Sequence, residues 1–220
     1  MTTTTDAVTL TTPDGVPVPL ENATVVVAGY AGRDQAGVKA HIDELAAIGV
    51  APPPEVPMFY PMPPGLLTTA SQAPASPDSS GEVEPLVVRQ GGRFYLGVAS
   101  DHTDREIEKT DILTSKRACP KPVGATVVPF DPDTFDWDGC AVTSTADGAP
   151  YQDGRLAELL HPSDLFARMT ERGLITDDED VVVIGGTVPL LTGRFLFATS
   201  WVIELTTAEG TTIRHEYKTN

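Results

Sequence analysis

Three acids fall where a single β-ribbon would bring them together. Glu82-Val83-Glu84-Pro85-Leu86-Val87-Val88 leads into Arg89-Gln90-Gly91-Gly92, and the run Arg93 to Asp101 follows. A Gly-Gly pair between two β-prone runs is a hairpin signal, because tight two-residue loops need positive φ. With Gly91-Gly92 as the loop, Glu82 lies opposite Asp101, and strand alternation puts Glu84 on the same face. Two carboxylates about 5 Å apart repel by roughly 3 kcal/mol at an effective dielectric of about 20. The trio must share protons, face bulk water as a solvated acidic surface, or hold a cation. Spacing alone leaves these open. An all-oxygen donor set suits Mg²⁺, with Mn²⁺ or Ca²⁺ as alternatives, better than Zn²⁺.

A second constellation lies upstream. His41 and Glu44 are three residues apart in a segment with helical periodicity, hence side by side. A carboxylate beside an imidazole fixes its tautomer and raises its basicity, which suits activation of a water. A helix-surface ion pair or a packed core histidine gives the same spacing. Lys116, Arg117 and Lys121 form a basic cluster in an acidic chain. One of them can meet a substrate carboxylate or an oxyanion, while Arg117 and Lys121 read as ordinary surface charge. Thr187, after Gly185-Gly186 at a strand end, can offer its hydroxyl and N–H to a carboxylate, although a structural turn explains the glycines equally well. Arg105 reads as a structural ion-pair partner of Glu108 or Asp101. His102 alternates to the face opposite Asp101 and is not counted as a ligand. His161 and His215 read as surface or cross-strand residues.

The elements that must position these groups are mostly strands. Ala7 to Leu10 and Val16 to Leu20 flank a Pro13-Asp14-Gly15 turn, and Thr24 to Gly29 is a compact buried-strand run. Gln35 to Gly49 is the clearest N-terminal helix, stopped by Gly49 and Pro52-Pro53-Pro54. Residues 51–80 form an ordered connector, and a short helix is expected near Glu106 to Lys116. Strands are expected at Val123 to Phe130, Trp137 to Ser144 and Val181 to Ile184. Ser163 is the expected cap of a helix ending at Gly173. Phe195 to Thr206 and Thr211 to Tyr217 make a final hairpin. Twenty prolines and nineteen glycines fit many turns. The class is α+β, β-rich, with few short helices, in one domain spanning 1–220 and disorder expected over 1–8.

Composition narrows the function. A net charge of −16 and a sequence pI near 4.4 argue against a nucleic-acid surface. Two cysteines, Cys119 and Cys140, are too few for a disulfide scaffold and lack metal-ligand spacing, which points to a cytoplasmic protein. Met1 to Asp6 has no basic region or apolar run, so no signal peptide is expected, and no apolar stretch is long enough to enter a membrane.

Ser100-Asp101-His102-Thr103-Asp104-Arg105-Glu106 resembles the Asn-Asp-x-Ser/Thr-x-Arg-Asp stretch of the fumarylacetoacetate hydrolase superfamily. Glu82 and Glu84 match that family's Glu-x-Glu, and Asp101 matches its third metal ligand. Gly29-Tyr30 through Glu44 looks like the Asn-Tyr…His-x-x-Glu segment of the acylpyruvase-like members, and Pro54 to Tyr60 resembles the Pro-x-x-Pro-x-Phe stretch after it. Lys116 falls where the family places an active-site lysine, and Gly185-Gly186-Thr187 is similar to its late Gly-Thr motif. The resemblance covers roughly residues 24 to 217. It departs from the family at Gly29 and Ser100, where the family has Asn, at Glu108, where many members carry a substrate-touching Gln, and in a short Glu84-to-Asp101 spacing. These departures mark a divergent branch and bear on the substrate more than the metal.

The resemblance implies a mixed β-sandwich or β-roll of the family's C-terminal domain type, a homodimer, and a lid that carries the His41–Glu44 helix. It implies a metal held by Glu82, Glu84 and Asp101, catalytic roles for His41, Glu44 and Lys116, and substrate contacts from Thr187, Glu108 and Tyr30. The implied substrate is a small anionic 2-oxo or 1,3-dioxo acid. The implied reaction is C–C bond hydrolysis, in which the ion stabilises the enolate released. Decarboxylation, hydration or tautomerisation would use the same chemistry, and a non-catalytic metal-dependent binder would keep the fold alone.

Overall fold

Long β-prone runs of this sequence pair into two sheets with the candidate site at the end of the larger one. The computed structural model describes residues 8–47 and 52–219, without the side chains of His41, Glu44, Leu45 and Ala47. The N-terminal part contains strands β1 (Thr9–Thr11), β2 (Pro17–Pro19) and β3 (Thr24–Gly29), then helix α1 (Gln35–Ala47) and β4 (Met58–Met62). Short strands β5 (Leu67–Thr68) and β6 (Ser79–Ser80) precede the hairpin β7 (Val83–Gln90) and β8 (Arg93–Ser100). Next come β9 (Thr103–Asp104), α2 (Arg105–Glu108), α3 (Ile112–Arg117), β10 (Lys121–Pro122) and β11 (Val128–Phe130). The C-terminal part holds β12 (Ala141–Ala146), β13 (Ala149–Arg155), α4 (Pro162–Glu171), β14 (Val181–Ile184), β15 (Ser200–Thr206) and β16 (Thr212–Lys218).

The larger sheet has the order β11-β8-β7-β14-β3-β4 and the smaller one β13-β12-β15-β16. One face of the larger sheet, with Val26, Val87, Leu96 and Val183, packs against Val142, Ile203 and Leu205 of the smaller sheet and Leu165 and Met169 of α4. The other face, with Val25, Val27, Tyr60, Leu86, Val88 and Ile184, is covered by Leu10, Val18 and Leu67. Burial on both faces explains why β3 and β14 read as unbroken apolar runs rather than alternating ones. Each fully buried Val or Leu side chain there contributes roughly 1.5–3 kcal/mol.

The expected class holds: the fold is β-rich α+β with few short helices. Details differ. The connector over 51–80 contains β4, an edge strand of the larger sheet, whose Pro61 hides the strand signal and is tolerated at an edge. The strand expected from Val123 is confined to β11, and the single helix expected near Glu106 is two, α2 and α3, capped by Asp104 and Asp111. His161, not Ser163, caps α4, its ring accepting from Ser163 N–H with Pro162 at the first turn. The helix end expected at Gly49 lies outside the described residues, as does the disorder expected of residues 1–7. Val8, included in the disorder expected over 1–8, is instead half-buried and packs with Leu10 and Val18 against the larger sheet. Among the described residues no helix is long and apolar enough to cross a membrane.

Candidate functional site

Gly91 and Gly92 turn the β7–β8 hairpin with φ of 57° and 75°, which L side chains rarely adopt. The register is the one the loop dictates: Val83 pairs with Ser100, Glu84 with Ala99, and Asp101 N–H donates to Glu82 O at 3.0 Å. Glu84 and Asp101 share the face of Leu86, Val88, Tyr95 and Ala99, toward Tyr60 and α3. Both carboxylates are buried, Glu84 at 3% exposed and Asp101 at 1%.

Each acid has a distinct partner. Asp101 Oδ2 accepts from Lys116 Nζ. Lys121 Nζ lies 3.1 Å from Asp101 Oδ1 as an ion pair, and among the described residues no well-directed hydrogen bond reaches that buried oxygen. Glu84 Oε2 accepts the Gly186 N–H at 2.7 Å. Glu82 Oε2 accepts from Arg105 Nη2 at 2.8 Å. Arg105 also donates through Nη1 to Glu108 at 2.9 Å and through Nε to Ser80 Oγ at 2.7 Å, and its guanidinium lies 3.8 Å from the centroid of the Phe195 ring. Arg105 thus pairs with Glu108 as expected, and with Glu82 rather than Asp101.

Lys121 corrects the sequence reading. It is fully buried rather than a surface charge, donating to the carbonyls of His102 and Lys116 beside Asp101. Two carbonyls and a carboxylate compensate a lysine that composition alone would place in water. Arg117 is exposed, as expected, and donates to Pro61 O.

The electrostatics follow from these contacts. Burial pushes the Glu84 carboxyl well up, and the charges of Asp101 and Glu82 add to this while Lys116 opposes it. Burial acts the same way on Asp101, but Lys116 and Lys121 outweigh it and hold Asp101 well below the usual carboxylate range. Lys116 is raised, because Asp101, Glu84 and Glu108 outweigh the cost of its burial. Lys121 is lowered, burial being the larger effect. Tyr30, at φ of 57°, lies close enough to feel the charges of Glu108 and Lys116, and burial with Glu108 raises its phenol. Lys116 Nζ also sits 5.6 Å from the centroid of the Tyr60 ring. Tyr30, Glu108, Lys116, Glu84 and Asp101 therefore occupy one neighbourhood. The backbone of His41 and Glu44 forms part of α1, and their side chains lie outside the described residues. Thr187 Oγ1 donates to Val83 O at 2.9 Å and accepts from Gln152 Nε2 at 2.7 Å.

His102 faces the other way, as alternation requires. Its ring bonds Ser79 Oγ at 2.9 Å and the Tyr217 hydroxyl at 3.1 Å, edge-on to Trp201. Gly81, immediately before the first acid, must be glycine in this setting: a Cβ there would meet Ser100 Oγ and the Tyr217 hydroxyl at 2.6 Å. Burial, then the charges of Lys121 and Arg105, lowers His102 to about 3 from an ordinary 6.5. Neutral His102 thus supports the fold above pH 6.5, and that support is lost as pH falls toward 3. Between those values the unfolding free energy of the wild type should fall by up to about 1.4 kcal/mol per pH unit more steeply than that of His102→Gln. Parallel urea series would check this, and equal slopes would refute it.

The donor chemistry fits a hard divalent cation: the acids supply only oxygen, and among the described residues one buried Asp101 oxygen accepts no hydrogen bond and buried Glu84 has no ion pair, although the charge of Lys116 acts on it. Among the described residues, however, no three acidic, His or Cys side chains converge as a ready-made metal cage, and Lys116 stands against Asp101. The charge environment fits; a coordination geometry is not defined. Sequence reasoning missed Gln152, Phe195 and the burial of Lys121, because each acts across a long stretch of chain with no local spacing to reveal it.

Solved structures share this fold. A Yersinia pestis protein assigned to the fumarylacetoacetate hydrolase family matches with a TM-score of 0.64 at 17% identity, covering 95% of this chain and 99% of that one. An Oleispira antarctica protein assigned as a fumarylacetoacetate isomerase/hydrolase gives 0.63 at 18%, covering 95% and 98%. A 2-keto-3-deoxy-D-arabinonate dehydratase, complexed with magnesium and 2,5-dioxopentanoate, gives 0.59 at 17%, covering 91% and 74%. No curated protein sequence matches the chain. A family model described as "Protein of unknown function (DUF2848)" matches residues 28–217, so the chain is a member of the DUF2848 family, built on the fumarylacetoacetate hydrolase fold.

Proposed function

We propose that the protein is a divalent-metal-dependent enzyme acting on a small anionic 2-oxo or 1,3-dioxo acid, with C–C bond hydrolysis as its reaction. The observation that carries this reading is the buried pair Glu84 and Asp101 with Lys116 at the same spot, on a fold shared with a magnesium-complexed dehydratase. Glu82, Glu84 and Asp101 would hold Mg²⁺, or Mn²⁺ or Ca²⁺, through oxygen alone. When bound, the ion supplies a Lewis acid for the oxygens of the oxo acid.

The chain's own residues supply the rest. Lys116, buried and firmly protonated, offers a fixed positive charge to a carboxylate or a developing oxyanion. Tyr30, Glu108 and Thr187 would contact the remainder of the substrate. In hydrolysis, His41, with Glu44 as its expected partner, would take a proton from water, whose oxygen adds to a ketone carbonyl. The C–C bond breaks with its electron pair left on the departing enolate, and a proton then returns to carbon. Dehydration is the second reading, favoured by the fold it shares with the dehydratase. The functional unit in this account is a homodimer.

Incubating the protein with Mg²⁺ or Mn²⁺ and acylpyruvates, oxaloacetate or 3-deoxy-2-oxo sugar acids separates the reactions by product. A pair of acids from an acylpyruvate, lost about 10²–10⁴-fold in His41→Ala, supports hydrolysis through this base. Turnover of sugar acids alone selects dehydration. No turnover across the panel removes the enzyme assignment.

A further inference from the structure

Val83 sits between two of the acids; it pairs with Ser100 of β8, but on the side toward β14 its backbone lacks a strand partner. β14 pairs with β7 from Val181 opposite Arg89 to Ile184 opposite Leu86, and the same register continued would set Thr187 opposite Val83. The chain leaves that path at Gly186, whose φ of 93° is open to glycine alone and whose position lies against Ala31. Both backbone groups of buried Val83 on that side are nevertheless bonded. Its N–H donates to Gln152 Oε1 at 2.8 Å, and its carbonyl accepts from Thr187 Oγ1 at 2.9 Å. Gln152 Nε2 donates to that same Thr187 oxygen at 2.7 Å and closes the ring.

The remaining capacity of Gln152 is used as well. Nε2 donates to Val188 O at 2.8 Å, and Oε1 accepts from Ser144 Oγ at 3.0 Å. A backbone donor on one side and a backbone acceptor on the other fix which way the amide faces. The side chain is 1% exposed, so all four bonds form in a low-dielectric interior where an unmet partner is costly. Three of the four reach the acid-bearing strand or the Gly185–Val188 segment whose Gly186 N–H holds Glu84. Only the Ser144 bond belongs to the smaller sheet alone.

We propose that Gln152 is a positioning residue: its amide replaces the missing strand partner of Val83 and so fixes Glu82 and Glu84 against the Gly185–Thr187 turn. The consequence for cation binding rests on the metal-dependent reading above. The placement itself does not, and the two are read separately.

The test compares Gln152→Met, Thr187→Val and Ser144→Ala with the wild type by amide hydrogen exchange at Gly186 and by Mn²⁺ titration. Gln152→Met should weaken Mn²⁺ binding about 10–100-fold, the range typical of residues that orient metal ligands. It should also speed Gly186 exchange about 10-fold or more, as a loosened local bond does. Thr187→Val breaks the ring from its other side and should move both readouts in the same direction, which keeps the test alive if Gln152→Met fails to fold. Ser144→Ala, which removes a bond of equal type outside the ring, should leave both within about 2-fold of wild type. Gly186 exchange unchanged in the folded ring variants, or a Ser144→Ala effect equal to theirs, overturns the proposal. If the wild type takes up no Mn²⁺, the metal reading falls, and Gly186 exchange alone decides the role of Gln152.

Discussion

Asp101→Asn should destabilise the protein by about 3–5 kcal/mol, because it leaves two buried ammonium groups without their counter-ion. Lys116 and Lys121 are both buried, and Asp101 is the acid against which both stand. An amide of the same shape keeps the packing but not the charge. Lys121 would then meet only the carbonyls of His102 and Lys116, which cannot balance a full positive charge. Lys121→Met should cost less, since Asp101 keeps Lys116 and a lysine already lowered by burial leaves the interior. Adding Lys121→Met to Asp101→Asn should therefore recover part of the loss. Urea denaturation of the two single variants and the double gives the coupling directly. Stability of Asp101→Asn within about 1 kcal/mol of wild type would show that the aspartate is not the counter-ion the contacts make it.

Glu84→Gln should separate stability from function. The glutamine carbonyl can still accept the Gly186 N–H, so the turn stays in place. The carboxylate it replaces is held unfavourably, by burial first and then by Asp101 and Glu82. Because Glu84 binds its proton more tightly in the folded state, its contribution to stability is complete below about pH 4.5 and is lost as pH rises. Without metal, the variant should match the wild type near pH 4.5 and gain on it as pH rises from there. With metal the order reverses. At free Mg²⁺ about 100-fold over its dissociation constant the wild type should gain about 2.7 kcal/mol, and the variant almost nothing. A metal-free difference that stays flat with pH would remove the buried, strained carboxylate from the account.

How much of this was legible from the residues alone depended on whether the information was local. The hairpin was, because Gly91-Gly92 sets both the turn and the register, and the register sets the face of every acid on it. The β3 and β14 runs were, because burial on both faces leaves an apolar signature in the sequence. Lys121 was not: its burial depends on Asp101, twenty residues upstream, and on two carbonyls with no sequence signature. β4 was hidden by Pro61 at a sheet edge. Gln152 could not be found by any spacing rule, since its value arises where β14 fails to continue, on a strand more than thirty residues away. The hairpin register located the acids, the family resemblance singled out Lys116, and the structure added that Lys116 is already engaged with one of those acids.

That engagement makes cation uptake the decisive question. Titrating Mn²⁺ into metal-free protein at pH 7.5, with free ion followed by its paramagnetic resonance signal, counts the sites per chain. The account predicts one saturable site, displaced by Mg²⁺ and lost in Glu84→Gln. No saturable site, or one that Glu84→Gln leaves intact, would contradict it.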